Sequence, residues 1–160
     1  MSSKARRMYA AKWFLGAASM ACALILAVFL ISEPPRSVPE FLLNALVTFA
    51  APVIITGAWG ASLGAKILDP AMTRSAGRAA LIGLAVSVVS FVSYVLILSL
   101  CFATLGLNPE GGVLTVFISL LIYGSILVGW LVGVVGALAG ALLYKKLASE
   151  RVSAGDDMPL

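Results

Sequence analysis

The side chains able to do chemistry are few, and where they fall is more telling than what they are. The chain contains no histidine. That excludes a Ser-His-Asp triad, a Cys-His pair, an HExxH zinc site and a histidine-ligated haem. The two thiols, Cys22 and Cys101, lie in different apolar runs, and there is no CxxC. At the depths assigned below they sit too far apart for a disulfide, and they read as small buried hydrophobes. Glu33, Glu40 and Glu110 each adjoin a proline outside the apolar runs. They read as solvated acids at helix starts, with an outer cation site as the sharper alternative. Apart from Lys66 at the end of the second run, no Asp, Glu, Lys or Arg interrupts an apolar run. Proton-coupled carriers and ion pathways keep an ionisable group in the membrane, so an exporter driven by an embedded carboxylate is excluded. No catalytic set, metal set or cofactor motif remains, and neither an enzyme nor a cofactor is expected.

What is left is weakly polar. Asn44, Thr48 and Thr56 are spaced by four and eight residues around Pro52. They read either as a polar notch for a ligand or as partners for backbone groups that the proline frees. Ala80, Gly83, Ser87, Ser90, Tyr94 and Cys101 share about 80° of a helical wheel. That face is a packing face with serine hydroxyls bonded locally, or else a pore lining.

These residues must be positioned by apolar helices. Of 160 residues 61% are hydrophobic and 11% charged, against about 25% charged in soluble domains. So much apolar surface cannot be hidden in so short a soluble chain. Four apolar runs follow: 13–31, 41–68, 79–103 and 113–144. The first follows a basic segment, as a signal peptide does, but is longer than a signal core and lacks a small-x-small cleavage site; it is expected to remain as a helix. Neither Arg6-Arg7 nor the Cys22 context makes a convincing export or lipoprotein signal. Pro39-Glu40 and Asn108-Pro109-Glu110 have helix-start chemistry, and Asp69-Pro70 suggests the cap of a short surface helix. Pro52 is expected to bend the second helix at the carbonyl of Thr48. The fourth run is longer than a bilayer needs, so it should tilt, bend or overhang.

Charge sets the orientation. Ten of the eleven Lys and Arg lie in residues 1–12, 66–78 and the tail, leaving only Arg36 for the opposite side. By the positive-inside rule both termini face the cytoplasm. The net charge of +4 is explained by this split and implies no nucleic-acid partner.

Small residues organise the packing. Ser125, Gly129, Gly133, Gly136 and Gly140 fall within about 80° of arc, a bare stripe along which a second backbone can approach. Gly57, Gly60 and Gly64 lie 76 residues before Gly133, Gly136 and Gly140, each trio with the same internal spacing. The echo suggests a parallel repeat of two-helix halves. Gly83 and Ser87 supply a matching small face on the third run.

The expected fold is therefore an all-α integral membrane protein of the plasma (inner) membrane. Four transmembrane helices, about 13–31, 41–66, 79–103 and 115–144, form an antiparallel up-down bundle with both termini inside. Residues 1–12 form a basic cytoplasmic segment, 13–144 a single transmembrane domain, and 145–160 a disordered cytoplasmic tail. The expected function is structural or accessory, through small-residue faces that assemble the bundle or dock a partner. The expected partners are the lipid bilayer and either a second copy or other membrane subunits. The alternative is a channel or facilitator for a small neutral solute.

Overall fold

A computed structural model describes residues 2–32, 37–69, 72–105 and 112–153; the side chains of Phe29, Glu40, Asn44, Thr48 and residues 151–153 fall outside that description. Every regular element among the described residues is a helix: α1 (Ser3–Ser32), α2 (Val38–Ala45), α3 (Ala51–Ser62), α4 (Ala76–Thr104), α5 (Val113–Gly124) and α6 (Trp130–Ser153). Two five-residue π-helical turns, Leu46–Ala50 and Ser125–Gly129, join α2 to α3 and α5 to α6. A 3₁₀ segment, Gly64–Leu68, follows α3. Three helices among the described residues are long and apolar enough to cross a membrane: Ser3–Ser32, Ala76–Thr104 and Val113–Glu150. The second apolar run is helical from Val38 to Ser62 in three consecutive sections.

The helices extend past the hydrophobic limits drawn from sequence. α1 takes in most of the basic segment, because Lys, Arg and Ala are good helix formers and the Ser2 hydroxyl accepts from the Ala5 N–H at 3.2 Å. α4 starts at Ala76, where the Ser75 hydroxyl accepts from the Arg78 N–H at 3.3 Å, an N-cap in the usual sense. α6 runs on to Ser153. Residues 145–153, assigned above to a disordered tail, are therefore helical; KKLASER is a run of good helix formers. Residues 154–160 lie outside the described residues, as do Glu33, Arg36, the 106–111 turn and Pro70. Instead of the surface helix expected around Asp69, an extended Asp69 accepts at its carbonyl from Met72 and Thr73.

Packing follows the helix order. α1 lies against α3, α6 and the 3₁₀ segment; α4 lies against α3, α5 and α6. The core joins Ala10 and Phe14 of α1, Ile67 and Leu68, Ala79 and Val86 of α4, and Ala139 and Leu143 of α6. Outside it, large apolar side chains such as Met20, Leu24, Ile54, Leu81, Leu114 and Leu138 are more than half exposed. A soluble protein rarely shows so wide an apolar exterior.

Candidate functional site: small-residue crossings and a central cavity

Where α4 crosses α6 the two backbones touch. A Cβ on Gly83 would collide with the Gly136 carbonyl oxygen and lie 3.0 Å from Gly140 Cα. A Cβ on Gly136 would collide with Ser87 Oγ and lie 2.6 Å from the Gly83 carbonyl oxygen; one on Gly140 would collide with the Ala79 carbonyl. No side chain but hydrogen fits at these three positions. Dispersion contact between the helices is the gain, since lipid offers no hydrophobic drive to associate them.

The second glycine trio meets α1. A Cβ on Gly60 would sit 2.7 Å from Phe14 Cβ, one on Gly64 2.6 Å from Phe14 Cε2, and one on Gly57 3.0 Å from Leu15 Cδ1. Phe14 fills this groove and is 1% exposed. Here a ring, rather than a facing backbone, occupies the space the glycines leave.

The two crossings share a register. Gly64 meets Ala10 and Phe14, Gly140 meets Ala79 and Gly83; Gly57 meets Leu15, Gly133 meets Leu84. Ala10, Phe14 and Leu15 lie 69 residues before Ala79, Gly83 and Leu84, whereas the glycine trios are 76 apart. Each helix pair runs antiparallel with the same contact order. A sequence comparison at one fixed offset sees the glycines and misses their partners, because the stretch of chain between the contacting residues is seven residues longer in the second pair.

The stripe does not act along its whole length. Gly133 meets only Leu84 Cδ1, at 3.2 Å, and Gly129 meets only its own helix, at Ser125 and Gly124. Ser125 is exposed. The π turn takes in one residue more than an α turn, which swings Ser125 by about 100° relative to the glycines that follow.

Two of the polar candidates, Ser90 and Tyr94, are bonded within the protein. Ser90 donates to the Val86 carbonyl at 2.6 Å and Ser99 to Val95 at 2.7 Å, each four residues back. Tyr94 donates to the Val47 carbonyl at 3.1 Å. That carbonyl has a history. The Ala51 N–H reaches Leu46, five residues back, so it does not serve Val47. The next donor in the π pattern would be residue 52, and Pro52 has no N–H. Sequence places the vacancy at Thr48; the Tyr94 hydroxyl reaches the carbonyl one residue earlier, at Val47. Cys101 and Ala80 do not join this buried face: Cys101 is exposed and Ala80 half-buried. Both thiols are free. Asn44 and Thr48 lie outside the described side chains.

A cavity of about 80 Å³ lies between the helices, lined from α1 by Ala21 and Cys22, from α3 by Pro52 and Thr56, and from α4 and α6 by Ser87 and Gly136 among others. Sequence reasoning found Thr56, Ser87, Ser90 and Tyr94 but not the α1 wall, whose alanines carry no polar signal.

The two indoles missed from sequence tie the pairs together. Trp13 Nε1 donates to the Ala139 carbonyl at 2.9 Å and Trp59 Nε1 to Ser93 Oγ at 3.0 Å. The basic ends converge. Arg6 pairs with Asp69 at 3.3 Å, Tyr144 donates to the Arg74 carbonyl, Thr73 to that of Lys66, and the Lys146 ammonium lies 5.4 Å from the Trp13 ring centroid. Exposed ion pairs contribute little to stability; here they mark which helix ends share a side. No protein-family model, curated protein or solved structure matches this chain.

Proposed function

We propose that this chain is a structural or accessory protein of the plasma membrane: four antiparallel spans, both termini cytoplasmic, assembled by its own small-residue faces. The second span is the helical stretch 38–62 with its π turn. One observation carries the reading. The grooves at Gly57–Gly64 and Gly136–Gly140 are filled by Phe14 and by α4, and the hydroxyls of Ser90, Ser99 and Tyr94 are bonded within the protein. Glycine faces spent on internal assembly leave a second copy or another membrane subunit to dock on the outward apolar faces.

The test is reconstitution in lipid vesicles, with Ser87→Cys and Ser90→Cys exposed to a charged thiol reagent. The expected result is no labelling at either position and no glycerol flux above empty vesicles. Labelling together with flux would replace this reading with the facilitator, for which the cavity is the favouring feature and Asn44, Thr48, Thr56, Ser87, Ser90 and Tyr94 the lining.

A further inference from the structure

We infer that the central cavity is a binding site for a small uncharged molecule of three to five non-hydrogen atoms, an apolar body with one hydrogen-bonding group. Size sets the scale. About 80 Å³ is several times the roughly 10–15 Å³ that one water needs and well below the cavities that hold drug-sized ligands. Chemistry sets the class. The walls are chiefly alanine, valine, isoleucine and phenylalanine, and no Asp, Glu, Lys or Arg reaches them. A charged guest would lose its hydration with no counter-charge to replace it.

A wholly apolar guest leaves one feature unexplained. Ser87 lines the cavity and is 5% exposed. Unlike Ser90 and Ser99, it makes no hydrogen bond among the described residues. Its Oγ lies against Gly136, so the small residue that lets the helices touch also keeps the hydroxyl at the cavity wall. No fully buried side-chain nitrogen or oxygen among the described residues lacks a partner, so the unbonded Ser87 Oγ is open to the cavity, where a guest carrying a hydroxyl can bond to it. Thr56, on the α3 wall, offers a second hydroxyl. The site requires no passage through the membrane, so it stands apart from the facilitator reading.

Two probes test the inference with the full chain in phosphatidylcholine nanodiscs: xenon, which reports apolar space alone, and 1-propanol. Four non-hydrogen atoms limit propanol to an affinity no tighter than roughly 40 μM. Saturable propanol binding that displaces xenon is expected. Ala21→Leu should abolish binding of both, and Ala18→Leu, on the same wall, should do so if the first variant fails to assemble. Ser87→Ala should leave xenon binding intact and weaken propanol about 5- to 10-fold, the loss of one hydrogen bond. Propanol signals unchanged by the leucine substitutions would mean partition into lipid and overturn the site. Equal loss of both probes in Ser87→Ala would overturn the role of the hydroxyl.

Discussion

At Gly83 and Gly136 one added methyl group would have to occupy space already held by a carbonyl oxygen or a hydroxyl of the facing helix. Gly16 is a helical glycine with nothing within 4 Å of its would-be Cβ. The same substitution should therefore act in opposite directions. Gly83→Ala and Gly136→Ala should destabilise the protein in detergent by about 1–3 kcal/mol, the usual cost of overpacking. Gly16→Ala should stabilise it by up to about 1 kcal/mol through helix propensity alone. Gly129→Ala, whose methyl would meet only its own helix, should lie near neutral. Thermal unfolding of the four variants measures the order; a Gly136→Ala that melts with Gly129→Ala would place the α4 crossing elsewhere.

Among the elements, the π turn before Pro52 has a chemical consequence that can be isolated. Tyr94 supplies the donor that the proline lacks, so the two residues should be coupled although 42 positions separate them in the chain. Tyr94→Phe should cost about 0.6 kcal/mol, the average for hydrogen bonds between membrane helices, and no more than about 1.7 kcal/mol. In a Pro52→Ala background residue 52 regains its N–H, and the cost of Tyr94→Phe should fall towards zero. A double-mutant cycle reads the coupling directly; additive effects would show that Val47 is served by some other donor. That proline disturbs the helix was legible from sequence, because the missing N–H is a property of the residue. Which carbonyl is orphaned was not, since it depends on whether the chain answers with an α bend or a π turn. For the same reason the wheel placed Ser125 and Gly129 on the packing stripe: it assumes 100° per residue throughout, and a π turn breaks that assumption. Gly57 and Gly60 in α3 and Gly133, Gly136 and Gly140 in α6 were legible because they lie in regular α geometry, which the wheel assumes, whereas Gly64 opens the 3₁₀ segment. Phe14 was not legible, since an aromatic ring at a membrane-helix position reads equally well as lipid-facing.

For the whole molecule, the basic ends of α1, α4, α6 and the 3₁₀ segment come together on one side. Under the proposed topology that side faces the cytoplasm, where positive loops are retained. Reporter fusions after residues 36, 72, 108 and 150 should read out, in, out, in. A periplasmic reading after residue 72 would overturn both the second span and the orientation. The separation of charge was plain in the sequence because positive-inside bias is a matter of composition and position. How the cations are held was not: the Arg6–Asp69 pair and the Lys146–Trp13 contact join residues 63 and 133 positions apart, and only the helix packing brings them together.

The two crossings of matched register bear on how such a chain is made. Each joins apolar runs that are consecutive in synthesis: the first to the second through α1 and α3, then the third to the fourth through α4 and α6. Residues 3–68 already contain Phe14 and the glycines it fills, so the first pair can close while the ribosome is still translating the second. Long-range ties between the pairs, such as Trp13 to Ala139 and Trp59 to Ser93, must wait for the second pair. Assembly should then tolerate a break in the chain between the pairs. Fragments 1–71 and 72–160, expressed together, should associate into a complex that migrates like the intact protein. Fragments cut at residue 108, which leave α4 without α6, should not each be stable when expressed alone. The interval between residues 68 and 76 is, on this view, a pause between two acts of insertion.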